Sequence, residues 1–552
     1  MFTTRSTSNR SLRRRVGIAA STAALAIGFL GASPAGAAAG DLDTQFSGDG
    51  MQTGITGTQN ATASFLQLDA KLVEAGNGAY EDGTVQKSGT YVARYTTAGT
   101  LDPAYGDSGV KKLNAITGFE WVRDIAPAGT GSLLVGYGTA TYPDDSDIYV
   151  VKLTSAGQPD PAFGGGDGIV KMSFSNHDRV GGVVVKGTRA FVGLSQDDGG
   201  NWANKWTVLA LNSATGAIDT TFSGDGKAEV PTTKLSTFDS LRDLAVQTDG
   251  KIVLGGTNAS TFATARFTAA GVLDTTFSAD GVMTAPVEGG GAAYKLLVQK
   301  DGKIVLGGYA YATGRSDTDY AAVRFTSAGA LDTSFSGDGK VLVDGGSKLN
   351  DTAFSAALAK DDKIVLGGFS YTSTGMDMGV VRLNWNGTQD TSFSADGRTS
   401  TSTLNVQNEQ IESVTMGIGD RIHGVGENLT GWSLVAYQGD AVPSFSVNDV
   451  SITEPDAATA NLTFTVKLSA PATSGITVKY ATTAGTAKTL ADFTAKSGTV
   501  TIAAGKTSAT VVVPVKGDTV RELNEAFTVN LSAPTNSGIA DAAGTGTIVN
   551  DD

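Results

Sequence analysis

The chain has 552 residues, a formal charge of −14 and no cysteine, which exclude a single small core, disulfide staples, thiol chemistry and electrostatic attraction to nucleic acid. Seventy-two glycines beside a hydrophobic fraction of 40% exclude a disordered chain and describe a turn-dense, all-β protein.

The N-terminal segment reads as a removable export signal. Arg5, Arg10, Arg13, Arg14 and Arg15 precede an uncharged apolar run from Val16 to about Ala32, and Ala35-Gly36-Ala37 offers small residues for cleavage. The run is short, Ala-rich and broken by Ser21 and Thr22, which argues against a retained anchor. Losing residues 1–37 removes five arginines and no acid, taking the charge from −14 to −19. No later stretch is apolar enough over a sufficient length to span a bilayer. The C-terminal Asn550-Asp551-Asp552 carries no hydrophobic tail. The expected product is secreted or extracellular, with any association to the cell surface non-covalent.

Self-similarity dominates residues 41–440. The segments LDTQFSGDG, LDPAYGDSG, PDPAFGGGDG, IDTTFSGDG, LDTTFSADG, LDTSFSGDG and QDTSFSADG follow in order, with first aspartates at Asp43, Asp102, Asp160, Asp219, Asp274, Asp332 and Asp390. The spacings are 59, 58, 59, 55, 58 and 58 residues, a regularity that means a repeat architecture. Each unit reads as four strands: one after the GDG turn, a second, an IVLGG-type strand entered through a turn such as Asp249-Gly250 or Asp301-Gly302, and a last one such as AAVRFTSAG. Four short strands per unit point to a seven-bladed β-propeller. The motif at Asp43 has no unit before it, and the last strand near Trp432 to Gln438 has no motif after it. Joining the two ends gives each its missing neighbour, whereas the alternative, a linear solenoid, leaves both edges bare.

By the LDTSFSGDG and DGKIVLGG blocks, residues 41–440 resemble the delta-60 repeat family of bacterial exported proteins. The resemblance implies a propeller and brings no established activity. The first three units depart most from its pattern, at Pro103, Pro161 and the inserted Gly166.

From residue 442 to residue 552 the repeat gives way to about seven alternating strands, enough for one Ig-like β-sandwich. Its acids concentrate at expected loops: Glu454, Asp492, Asp518, Glu522, Glu525, Asp551 and Asp552. The blocks SITEPD, AGTAKTLADFT, GDTVRELNEAFTVNLSAP and GTGTIVNDD resemble the Calx-beta family of sodium/calcium exchangers and bacterial surface proteins. The resemblance implies that these seven carboxylates converge at one end of the sandwich on calcium, a hard ion that takes six to eight oxygens. The carbonyl of Val520 joins them by position. Gly517 and Asn550 stand where strongly binding members often carry aspartate, which implies fewer ions and a weaker site. The alternative is a set of solvated loop acids.

Other signals are sparser. Each GDG aspartate fits either a small cation site or a tight turn, and the first Asp of each motif fits a turn cap. Of the two histidines, His177 falls in the polar loop SNHDR and His423 replaces the valine of IVLGG. No histidine cluster, nucleophile elbow or phosphate loop is present, so no catalytic residue is expected and the protein is read as a non-enzymatic binding or scaffolding protein. A hydrolase or lyase with a carboxylate site in the central channel is the alternative. It would need unlike residues at equivalent blade positions, while the motifs that align are nearly identical. The irregular loops TYPDDSD from Thr141 and SQDDGGNWANKW from Ser195, with Trp202 and Trp206, suit a protein or glycan ligand on the propeller surface.

Overall fold

A computed structural model describes residues 38–551 apart from 54–59, 83–84, 116–118, 140–145, 176–177, 198–203, 235–239, 313, 374, 404–407, 429–430, 441–442, 471–474 and 536. Seven four-stranded antiparallel sheets occupy residues 51–437, and a four-stranded and a five-stranded sheet follow between 444 and 549. No α-helix occurs among the described residues, and none is long and apolar enough to cross a membrane.

Each blade is a meander of inner, second, third and outer strand. In the fifth blade these are Gly291–Val298, Ile304–Tyr311, Thr318–Phe325 and Lys340–Val343. The third strand is buried along its whole length, because neighbouring blades cover both faces of the sheet. A strand covered on both sides loses the alternation of polar and apolar residues, as its middle, Tyr320 to Val323, shows. In the sandwich, by contrast, Thr459–Leu468 and Ser508–Lys516 alternate buried and solvent-facing residues. Their inward side chains surround Phe464, Phe493 and Phe527, with Phe493 stacked on Phe527 at 4.3 Å between centroids.

The LDTSF motif stitches one blade to the next. Its aspartate caps the turn in all seven copies, accepting the N–H two residues on at 3.0–3.2 Å in Gln45, Ala104, Ala162, Thr221, Thr276, Ser334 and Ser392. Its aromatic ring lies against the glycine of the next unit's TSAG-type turn, as Phe277 does against Gly329 and Phe335 against Gly387. Burying such a ring contributes about 1.5–3 kcal/mol. In the fourth blade Arg266 lies 4.6 Å over the Phe277 ring, donates from Nε to Asp274 at 2.8 Å and reaches the Ser327 carbonyl at 2.6 Å. Arg94, Arg324 and Arg382 repeat the cation–ring contact. The GDG aspartates Asp49, Asp167, Asp225, Asp280, Asp338 and Asp396 each accept the N–H two residues on, the turn role.

The ring closes through its ends. Met51–Thr53 pairs with Gly431–Tyr437 as the outer strand of the seventh blade, Met51 opposite Val435. The Ser394 N–H donates to the Ala39 carbonyl at 2.7 Å, the bond that Ser336 makes to Asn386 at 2.8 Å one blade earlier. Residues 38–43 thus supply the turn and aspartate of the seventh unit.

Every inner strand carries a bulge at the same place, and the extra residues are Thr62, Arg123, Gly181, Arg242, Tyr294, Phe354 and Glu412. A bulge re-aims the side chains around it, and all seven residues line one cavity of about 170 Å³.

Candidate metal centre

The sandwich was expected to have about seven strands and has nine. Asn448 and Asp449 split the first one between the two sheets, with Ser444–Val447 in one and Val450–Thr453 in the other, and Gly538–Ile539 adds a two-residue strand. The loops between these strands carry the acids.

Glu454 follows Val450–Thr453, and its N–H donates to the Val549 carbonyl at 2.9 Å, fixing it beside the last strand. Asp492 sits in the turn before Ser497–Ile502. Its backbone N–H bonds the Lys488 carbonyl at 3.0 Å, its carbonyl accepts from Lys516 at 2.8 Å, and its carboxylate accepts from the Lys488 N–H. Asp518, Val520 and Glu522 share the loop after Ser508–Lys516, where Asp518 accepts the Val520 N–H at 2.7 Å. Glu525 opens Glu525–Ser532.

One carboxylate oxygen from each of Asp492, Glu522 and Glu525 lies within 4.8 Å of the others. Burial first, then the hydrogen bond and charge of Asp492, push the Glu525 pKa up to about 7. Glu454 is buried, and burial raises its pKa. Asn550 pulls it back, while the charges of Asp518, Glu522 and Asp492 raise it further. Five of the acids therefore share one electrostatic site. Like charges gathered this way hold protons that isolated carboxylates would release, and a hard divalent cation is the partner that this oxygen set fits.

Asn550 bridges the site, its side-chain amide donating to Glu454 at 3.4 Å and to the Val520 carbonyl at 3.3 Å. That links the expected carbonyl donor to the carboxylates. Asp551 is exposed next to Asn550, and Asp552 lies outside the described residues. Gly517 has a reason to be glycine: a Cβ there would lie 1.6 Å from the Pro455 carbonyl oxygen, so an aspartate would force the two loops apart. Three exposed apolar side chains, Leu490, Val520 and Leu523, stand on the loops that carry the acids.

One expectation outside the sandwich changes. Trp206, read as part of a ligand surface, lies in Asn204–Asn212 with no exposed surface, packed in the core between blades beside Phe222 and Leu241. Pairing of Ser195 with Trp206 turns that end of the segment into hairpin rather than loop. Trp202 and His177 lie outside the described residues. His423 is a strand residue of Ile422–Asn428, stacked edge-on against Phe46 at 5.5 Å. Burial, then Arg421, push its pKa down to about 3, so it is a neutral core side chain at ordinary pH.

A family model described as Calx-beta domain matches residues 439–552, and one described as domain of unknown function (DUF5122) beta-propeller matches residues 247–277, 299–335 and 359–393. Among solved structures, the apo-form Calx CBD1 domain is 21% identical, covers 20% of this chain and 100% of its own, and has a TM-score of 0.19. Sqt1 from Chaetomium thermophilum is 11% identical, with 69% and 96% covered and a TM-score of 0.36. Prolyl oligopeptidase B from Galerina marginata is 11% identical, with 58% and 38% covered and a TM-score of 0.29. No curated protein matches the chain.

Proposed function

Taking the Calx-beta match over residues 439–552 as the premise, we propose that the chain is an exported binding or scaffolding protein whose C-terminal sandwich takes up calcium. The observation that carries the reading is the meeting of Asp492, Glu522 and Glu525 within 4.8 Å, with Glu454 and Asp518 in electrostatic reach. In this reading the five carboxylates and the Val520 carbonyl hold the ion. Asn550, whose amide bridges Glu454 and the Val520 carbonyl, would stand beside the ion, and Asp551 and Asp552 would complete the outer side. Export is supported by the Arg-rich, apolar, Ala-x-Ala sequence of residues 1–37. Binding rather than catalysis is supported by a buried, neutral His423.

Calcium that binds only the folded sandwich stabilises it. At about 100 times the dissociation constant the gain is roughly 2.7 kcal/mol, and extracellular modules bind with constants of about 0.1–1 mM. The test is a thermal melt of the full chain with calcium, magnesium or chelator, repeated for Asp518→Ala and Glu522→Ala. Calcium is expected to raise the sandwich transition, magnesium to raise it less because it demands a tighter octahedral shell, and each variant to lose most of the shift. A melt and a direct titration both unmoved by calcium at about 10 mM, well above that affinity range, would leave the acids as solvated loop residues.

A further inference from the structure

The seven bulges put unlike residues at one level of the propeller axis, where the LDTSF and IVLGG motifs are alike from blade to blade. Most of that ring is uncharged, but Arg123 and Arg242 both line the cavity, and among the described residues neither donates a hydrogen bond nor forms a salt bridge. The Arg242 Nε is buried with no acceptor, and the guanidinium has only the Tyr294 ring, 4.8 Å from its carbon. Leaving a buried donor unmatched is costly, and more so when it is charged.

The other charges at this level do not fill the vacancy. Lys295 bonds Asp243 at 3.1 Å and feels Asp124, so it is held protonated against burial. Asp243 and Asp124 are engaged in turn by backbone N–H groups, Leu296 at 2.9 Å and Val183 at 2.8 Å. Glu412 accepts from the Gln410 side chain at 2.6 Å and feels the Arg123 charge without a salt bridge to it. Burial, then the charge of Glu427, push its pKa up to about 7, so it carries less than a full negative charge at neutral pH. Arg242 is itself depressed, by burial and then by the nearby Arg123, with Arg179 adding to it. A chain of net charge −14 thus keeps on its axis two arginines that no carboxylate bridges.

We propose that this axial cavity is a binding site for a small oxyanion-bearing molecule, the oxyanion held between the Arg123 and Arg242 guanidinium groups. Guanidinium forks match carboxylate and phosphate oxygens two at a time. The cavity of about 170 Å³ has room for more than a bare ion, and the Tyr294 and Phe354 rings on its wall offer apolar faces of the kind that pack against a sugar ring. A sugar acid meets both requirements, and inorganic phosphate meets the first.

The test is calorimetric titration of the full chain with D-glucuronate, inorganic phosphate and neutral glucose, together with unliganded melts of the variants. Saturable binding of glucuronate or phosphate is expected, with glucose binding far more weakly, and whichever anion binds identifies the oxyanion. Arg123→Gln and Arg242→Gln should each weaken binding by roughly ten-fold or more, the loss of a charge-assisted pair. Lys506→Gln, an equal charge change on an exposed turn of the sandwich, should leave it unchanged. Because the arginines repel one another and neither donates a hydrogen bond or forms a salt bridge, either variant should melt near the parent temperature. Absence of saturable binding by both anions, glucose binding as tightly, binding that survives both arginine substitutions, or a marked fall in melting temperature for both variants overturns the proposal.

Discussion

Glu74 occupies the leucine position of the second strand in its blade, the place held by Leu254, Leu306 and Leu366 elsewhere. It has no exposed surface. Burial pushes its pKa up to about 8, and the Tyr95 hydroxyl pulls it only partly back. An unfolded glutamate titrates near 4.3, so between those values the folded state holds a proton that the unfolded state has released. Stability must then fall as pH rises, by up to about 1.4 kcal/mol per pH unit while the difference lasts. Glu74→Gln keeps the shape and removes the titration. It is expected to match the parent near pH 4 and to exceed it progressively from pH 5 to pH 8, as read by urea unfolding across that range. A variant whose stability tracks the parent at every pH would show that the carboxyl is ionised in the fold. The repeat alignment makes this substitution legible, because a charged residue replaces a leucine in a block that is otherwise apolar. The charge state was not legible, since it depends on how completely the flanking blades cover the strand.

The two glycines that end each IVLGG block do different jobs, and the second is the more demanding. A Cβ at Gly308 would lie 1.9 Å from the Ala292 carbonyl oxygen on the inner strand, and one at Gly368 would lie 1.8 Å from that of Thr352. At Gly307 the first neighbour is the end of the Leu366 side chain of the next blade, at 2.9 Å, which can turn aside. Gly308→Ala should therefore cost about 3 kcal/mol and Gly307→Ala about 1 kcal/mol, the upper and lower ends of the overpacking range. Chemical denaturation of the two single variants checks the order, and equal losses would refute it. Strand existence was plain in the sequence because Asp-Gly turns and β-branched runs punctuate it at fixed intervals. The bulges were not: a bulge has no fixed residue type, and Arg242, Tyr294, Phe354 and Glu412 share only their standing ten residues before Ile252, Ile304, Ile364 and Ile422. The acid cluster was legible as residues on loops, while the bridge from Asn550 to Val520 needed the strand order that brings residues 30 apart together.

At the scale of the molecule, the outer strand of the last blade is contributed by the first residues of the ring. Met51 faces Val435, Asp43 accepts from the Gln438 side chain at 2.5 Å, and Arg421 forms a salt bridge to Asp43. Asp440, just beyond the last blade, is anchored to Arg382 at 2.5 Å and to Lys363 at 2.9 Å, so both sides of the seam are pinned. Such a seam sets an order of assembly. Blades one to six are each contiguous in sequence and can form as the chain grows, but Met51–Thr53 has no partner until Gly431–Tyr437 has been made. For most of synthesis, and again after any dilution from denaturant, the molecule carries a short free strand at one end and an open sheet edge at the other. An open edge accepts whichever matching strand arrives first, and at high concentration that strand belongs to another copy. Refolding of the full chain at rising protein concentration is expected to yield a growing share of strand-exchanged dimers joined through residues 38–53, which return to monomer only after unfolding. Size-exclusion chromatography of refolded samples reads that share, and a purely monomeric product at every concentration would mean that closure outruns encounter.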